Sequence, residues 1–107
     1  MTQTHAHAPA LSESLEDYLE AILHIVAAKQ AARAADIARR MNVKGSSVTG
    51  ALKSLAERGL VNYAPYDIVT LTPEGDAAAR KVAHRHEVLQ DFFTGVLAVD
   101  ERSASEA

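Results

Sequence analysis

Cysteine and tryptophan are absent from the 107 residues, and three tyrosines and two phenylalanines are the only aromatics. Without cysteine there is no disulfide, no thiolate nucleophile and no thiolate metal ligand, which fits a reducing cytoplasm. No apolar run approaches the roughly 20 residues of a membrane-spanning helix, and the N-terminus lacks a basic-then-apolar leader. A glycine-rich phosphate loop, an H-E-x-x-H pattern and a serine-centred elbow are missing too, so an enzyme is not expected. What remains is one domain's worth of chain, long enough to bury a core without disulfides or metals.

Charge of one sign is scarce overall but concentrated locally. The formal net charge is −3. Between Lys29 and Arg58 the local balance is +5, whereas residues 1–28 and residues 59–107 each carry −4. A basic centre between acidic flanks is an electrostatic footprint suited to nucleic acid.

The basic centre has a pattern of its own. Residues 33–59 read as two short amphipathic helices joined by a tight break at Asn42-Val43-Lys44-Gly45, the layout of a helix-turn-helix. Ala35 to Met41 forms the first, with Ile37, Ala38 and Met41 inward. Gly45 to Arg58 forms the second, with Val48, Leu52 and Leu55 inward and Gly59 as the cap. Ser46, Ser47 and Thr49 open the second helix, where small hydroxyl residues can approach a DNA groove closely. Two β-like runs follow, Leu60 to Tyr63 and Ile68 to Thr72, around a proline-containing turn. A helix-turn-helix followed by a hairpin is a winged helix, and DNA binding is the expected activity.

Flanking elements complete the plan. Met1 to Ala10 has no periodicity and reads as a disordered tail, with His5 and His7 as no more than a weak metal pair. Residues 11–75 are expected to be the winged-helix domain. The first helix spans about Ser14 to Ala28, with Ser14 and Asp17 spaced as a capping box. A fourth helix starts at Thr72-Pro73 and runs to about Leu97, burying Ala79, Val82, His86, Leu89 and Phe93. Val99 to Ala107 has no core-forming pattern and reads as a connection. The fold class is therefore mainly α with a small β-hairpin, the long fourth helix leading towards a dimerisation region.

Asp17 and Glu20 share one face of the first helix, where acids near an N-terminus are ordinarily solvated. His84 and His86 point roughly 200° apart on the fourth helix and cannot serve one metal together. His86 shares its face with apolar residues, the usual setting of a core histidine, and His24 receives no role.

The ordered set L-E-D-Y-L-E-A-I (15–22), D-I-A-R-R-M-N-V (36–43), S-S-V-T (46–49), G-L-V (59–61), L-T-P-E-G (71–75) and R-H-E-V-L-Q-D-F-F (85–93) resembles the diphtheria-toxin-repressor family. These are iron- or manganese-dependent transcriptional repressors. The resemblance implies a divalent cation held by Asp17 and Glu20, matching the first-helix ligands of manganese-type members, and by His86 of the fourth helix. Iron-type members place a methionine where this chain has Asp17, so Mn²⁺ is the expected ion, with Fe²⁺ the alternative. It also implies Lys44 and Lys53 on DNA phosphates, Ser46, Ser47 and Thr49 in the groove, a palindromic operator and a homodimer. The family's remaining ligands would fall beyond Ala107, so residues 76–107 are expected to be the incomplete start of a metal-binding and dimerisation region. Gly50 replaces a long base-reading side chain, and Asp67 stands at the wing tip where relatives often carry arginine. The competing expectations are a winged-helix regulator that needs no metal and a winged-helix module that binds protein.

Overall fold

The computed structural model describes residues 11–64 and 68–106, with side chains described to residue 96. The expected tail at 1–10, with His5 and His7, and Asp67 at the wing tip lie outside the described residues.

Helix α1 spans Glu13–Lys29 and buries Tyr18, Leu19, Ile22 and Ile25. Its cap is Ser12, in extended conformation, whose hydroxyl accepts from the Leu15 N–H at 3.1 Å. This corrects the expected Ser14–Asp17 cap: two serines compete for the position, and the earlier one adds a turn-start that satisfies a helix-end donor. Gln30, at φ 72°, ends the helix by donating its N–H to the Val26 carbonyl at 2.7 Å.

A strand follows that the sequence pattern does not announce. β1 is only Ala32–Arg33, and Ala32 is fully buried. The helix-turn-helix comes next, α2 at Ala34–Met41 and α3 at Gly45–Glu57. Asn42 takes the left-handed conformation (φ 57°) that closes α2, and the Val43 N–H returns to the Ala38 carbonyl at 3.0 Å. Gly59, at φ 72°, ends α3 in a paired closure: its N–H reaches the Ala56 carbonyl and that of Leu60 reaches Leu55, both at 3.0 Å.

Strands β2 (Val61–Ala64) and β3 (Ile68–Leu71) form the wing, with Val61 opposite Leu71 and Ala64 opposite Ile68. β1 pairs with the other edge of β3, giving a three-stranded antiparallel sheet in the order β1-β3-β2 rather than a two-stranded hairpin. The sheet is thereby tied to the segment between α1 and α2. Leu19, Ile22, Ile37, Val48, Leu52, Leu55 and Val69 form the fully buried centre, drawn from three helices and the middle strand.

Helix α4 spans Pro73–Glu106. At 1.5 Å per residue its 34 residues are roughly 50 Å long. It extends past the expected end near Leu97, and residues 99–106, expected to be a connection, continue the helix. No glycine or proline interrupts 96–106, so nothing there stops it. Thr72 anchors its start: the hydroxyl accepts from the Gly75 N–H at 2.9 Å and donates to the Gly59 carbonyl at 2.7 Å. The first half packs on α1 and buries Ala79 and Val82. Leu89 and Phe93, expected in the core, are instead 51% and 60% exposed. Their helical spacing is right, but α4 has by then run beyond the body that would cover them. Among the described residues no helix is long and apolar enough to cross a membrane.

Candidate functional site

Two turns of α1 face the middle of α4. Glu16, Asp17 and Glu20 come from α1, and Arg85 and His86 come from α4. Burial of Tyr18, Leu19 and Ile22 on one side of α1 and of Ala79 and Val82 on α4 fixes the two helices against each other. The polar residues between those anchors meet as a consequence.

One ligand atom each from Asp17, Glu20 and His86 lies within 4.8 Å of the other two. His86 Nδ1 is 2.7 Å from Glu20 Oε1. Donor atoms on one cation at about 2.0–2.2 Å can stand up to roughly 4.4 Å apart, so small side-chain adjustments suffice to share an ion. Two carboxylates and an imidazole are a hard-to-borderline set that suits a first-row divalent cation. Asp17 is exposed while Glu20 and His86 are half-buried, so the cluster sits at the surface with solvent access. His86 is thus on the polar boundary of the helix pair and not in the core, which corrects the expectation drawn from its apolar face.

Beside the cluster, Arg85 donates to Glu16 Oε1 at 2.7 Å. This hydrogen bond and the carboxylate's charge raise the guanidinium's pKa above its ordinary value. The pair is solvent-exposed, and such pairs contribute little to stability. Its effect is to align the helices beside the acid–imidazole group.

His24, to which the sequence pattern assigns nothing, approaches one member of this cluster, Glu20, and is not itself part of it. Its Nε2 stands 3.6 Å from Glu20 Oε2, one helical turn away. A cleft of about 380 Å³ runs along Asp17, Glu20, Ala21 and His24, with Arg40 and Met41 of α2 on the far wall. The readable signal was the four-residue interval from Glu20 to His24, which puts both on one face. His84 is exposed and takes no part in the group.

The start of α3 presents a different surface. Lys44, Ser46, Ser47, Thr49 and Lys53 are all exposed, while Val48, Leu52 and Leu55 hold the opposite face in the core. Lys44 stands at the cap position without a side-chain cap bond. Backbone donors at this end of the helix, with the positive end of its dipole, favour a phosphate. Thr49 Oγ1 donates to the Gly45 carbonyl at 3.1 Å, which leaves the oxygen's lone pairs and the methyl group for an outside contact. Gly50 has open space around it, consistent with a shallow reading surface. Ser46, Ser47 and Gly50 line one wall of an open groove whose other wall includes Ser12 and Ser14 of α1. Part of the basic excess is consumed internally: Asp36 holds Arg39 at 2.6 Å and Lys29 at 3.7 Å.

A family model described as the N-terminal DNA-binding domain of iron-dependent repressors matches residues 10–69. An HTH-type transcriptional regulator of Methanocaldococcus jannaschii is 39% identical over 97 residues, covering 90% of this chain and 78% of its own. The transcriptional regulator MntR of Lysinibacillus sphaericus is 39% identical over 88 residues, covering 82% of this chain and 63% of the relative. The chain thus spans less than two thirds of the MntR protein it matches. Among solved structures, IdeR of T. acidophilum aligns at 35% identity and a TM-score of 0.58, over 67% of this chain and 33% of its own. ZitR of Lactococcus lactis aligns at 24% identity and a TM-score of 0.70, over 84% of this chain and 61% of its own, a likeness of fold.

Proposed function

The chain belongs to the iron-dependent repressor family, the diphtheria-toxin-repressor group, and from that premise we propose that it is a metal-responsive repressor of metal-homeostasis genes. This is a family of DNA-binding regulators, not of enzymes. The observation that carries the metal part is the convergence of Asp17, Glu20 and His86 from two helices. These three residues hold the ion, Mn²⁺ or Fe²⁺. The bound cation supplies positive charge between α1 and α4. Glu20 and His86 then orient α1 against α4, and α1 packs directly on the helix-turn-helix.

On the DNA side, Lys44 and Lys53 contact phosphates, and Ser46, Ser47 and Thr49 enter the groove. Two copies of the chain bind a palindromic operator in the cytoplasm, their α3 helices set one helical repeat apart. The apolar stripe of Val88, Leu89, Phe92, Phe93 and Val96 on α4 supports self-association into a homodimer.

A specific contact favours the alternative of a metal-independent regulator. Arg85 bonds Glu16 at 2.7 Å, which links α4 to α1 through side chains outside the acid–imidazole group. DNA affinity on duplexes enriched from a random library separates the two. We expect Mn²⁺ to tighten binding at least fivefold, the lower end of typical allosteric coupling, and Asp17→Ala to abolish that response while metal-free affinity stays the same. Equal affinity with and without the ion would leave the metal-independent reading standing.

A further inference from the structure

We propose that Arg40 of α2 is a built-in competitor of the cation: its charge shares the cleft of Asp17 and Glu20, lowers their affinity for a divalent ion and so sets the metal concentration at which the chain responds. The proposal rests on the metal reading above and adds the regulation of that same site.

Arg39 and Arg40 are neighbours in the last turn of α2 with different surroundings. Arg39 is held by Asp36 at 2.6 Å, so its charge is spent within α2. Arg40 makes no hydrogen bond or ion pair among the described residues. Ile37, one turn earlier, is fully buried, and this places Arg40 at the flank of the packed face of α2, beside α1. There it lines the cleft of about 380 Å³ whose α1 wall carries Asp17 and Glu20. A cationic side chain with no other partner thus stands across an open cleft from two of the three ligand residues.

The consequence follows from charge. Without an ion, the two carboxylates carry −2 and attract the guanidinium. A bound divalent cation cancels that charge, and the attraction is lost. An interaction present only in the metal-free state opposes metal binding by its own free energy. Solvent reaches the cleft, so the effect is long-range and screened by salt rather than a locked ion pair. Arg40 also lies two residues before Asn42, whose left-handed backbone begins the turn into α3. Binding of the ion therefore changes the field on the helix that leads into the DNA-facing element.

Mn²⁺ titration of the chain, read from loss of the free-ion signal in electron paramagnetic resonance, tests this. At about 0.01 M ionic strength, where the screening length is about 30 Å, Arg40→Gln is expected to bind Mn²⁺ about threefold or more tightly than the native chain, the scale of a Coulomb term in a near-aqueous dielectric. At about 1 M, where that length is about 3 Å, the gain should vanish. Arg40→Lys, which keeps the charge, should match the native chain, and Arg39→Gln should stay within about twofold of it because Asp36 already neutralises Arg39. Native affinity in Arg40→Gln at low salt, with binding lost in Asp17→Ala, overturns the role of Arg40 and leaves the metal reading intact. A gain that persists at high salt, or that appears equally in Arg40→Lys, also overturns it, since the cause would then be steric. No saturable Mn²⁺ binding by the native chain overturns the metal reading and the competitor with it.

Discussion

The two halves of α4 share one helix and one period, yet only the first half has a partner among the described residues. From Pro73 to Val82 the helix is capped by Thr72, backed by the Leu60 segment and buried at Ala79 and Val82. From Val88 to Val96 five large apolar side chains stand in solvent, each between 43% and 62% exposed. His86 lies at the changeover, which is where a side chain can be held firmly and still be reached from outside. Periodicity identifies an apolar face. Whether that face is covered depends on what lies opposite in space.

Glycine gives the sharpest contrast between the halves. A Cβ on Gly75 would stand 1.7 Å from the Leu60 carbonyl oxygen, a backbone atom that cannot swing aside, while a Cβ on Gly95 meets nothing within 4 Å. Gly75→Ala is therefore expected to destabilise the chain by about 3 kcal/mol or more, because the α4 start must lift off the wing. Gly95→Ala is expected to stabilise α4 by up to ~1 kcal/mol through helix propensity. Urea denaturation measures both. A tolerated alanine at Gly75 would mean that the close approach of α4 to Leu60 is not a constraint on the fold.

Much of this arrangement was legible beforehand, for reasons that differ by element. Helices α1 to α3 announce themselves through regularly spaced apolar residues, and Gly59 through the need for a left-handed residue after Arg58. β1 could not be read, since two residues carry no period and Ala32–Arg33 becomes a strand only by pairing with Ile68 and Val69. The far end of α4 could have been read from the absence of any stop signal between residues 96 and 106. In the acid–imidazole group, the spacing of Asp17 and Glu20 showed a shared face, but nearness to His86 is 66 residues away in sequence and arises only from the α1–α4 packing. The approach of His24 to Glu20, by contrast, is local, since the two stand one helical turn apart.

Two valines on the same helix repeat the comparison at smaller scale. Val82 is 3% exposed and Val88 is 52% exposed. Val82→Ala removes two buried methyl groups and is expected to cost about 2 kcal/mol, transfer and cavity terms together. Val88→Ala is expected to change the stability of the isolated chain by less than about 0.5 kcal/mol. Thermal unfolding at low protein concentration, where self-association is minimal, provides the measurement. Similar costs at both positions would show that the second half of α4 is covered after all, by a partner already present in solution.

The smallest effect on folding should accompany the clearest effect on assembly. Phe92 and Phe93 are 62% and 60% exposed and meet edge to face, their ring centroids 5.8 Å apart. Two adjacent phenylalanines in water gain little from each other and stand to gain much from a second apolar surface, since aromatic anchors dominate the energetics of protein interfaces. Phe92→Ser should leave the chain's own unfolding within about 0.5 kcal/mol of the native value, because Phe92 is 62% exposed and lies outside the core among the described residues. On the proposed homodimer its self-association should weaken at least tenfold, equivalent to about 1.4 kcal/mol, and, on the proposed reading of a palindrome by paired α3 helices, operator affinity should fall with it. Sedimentation velocity across a concentration series distinguishes the outcomes. Unchanged association in Phe92→Ser and in the Phe92→Ser/Phe93→Ser pair would mean that the bare half of α4 is not the dimer contact, and the two halves would then differ in exposure without differing in role.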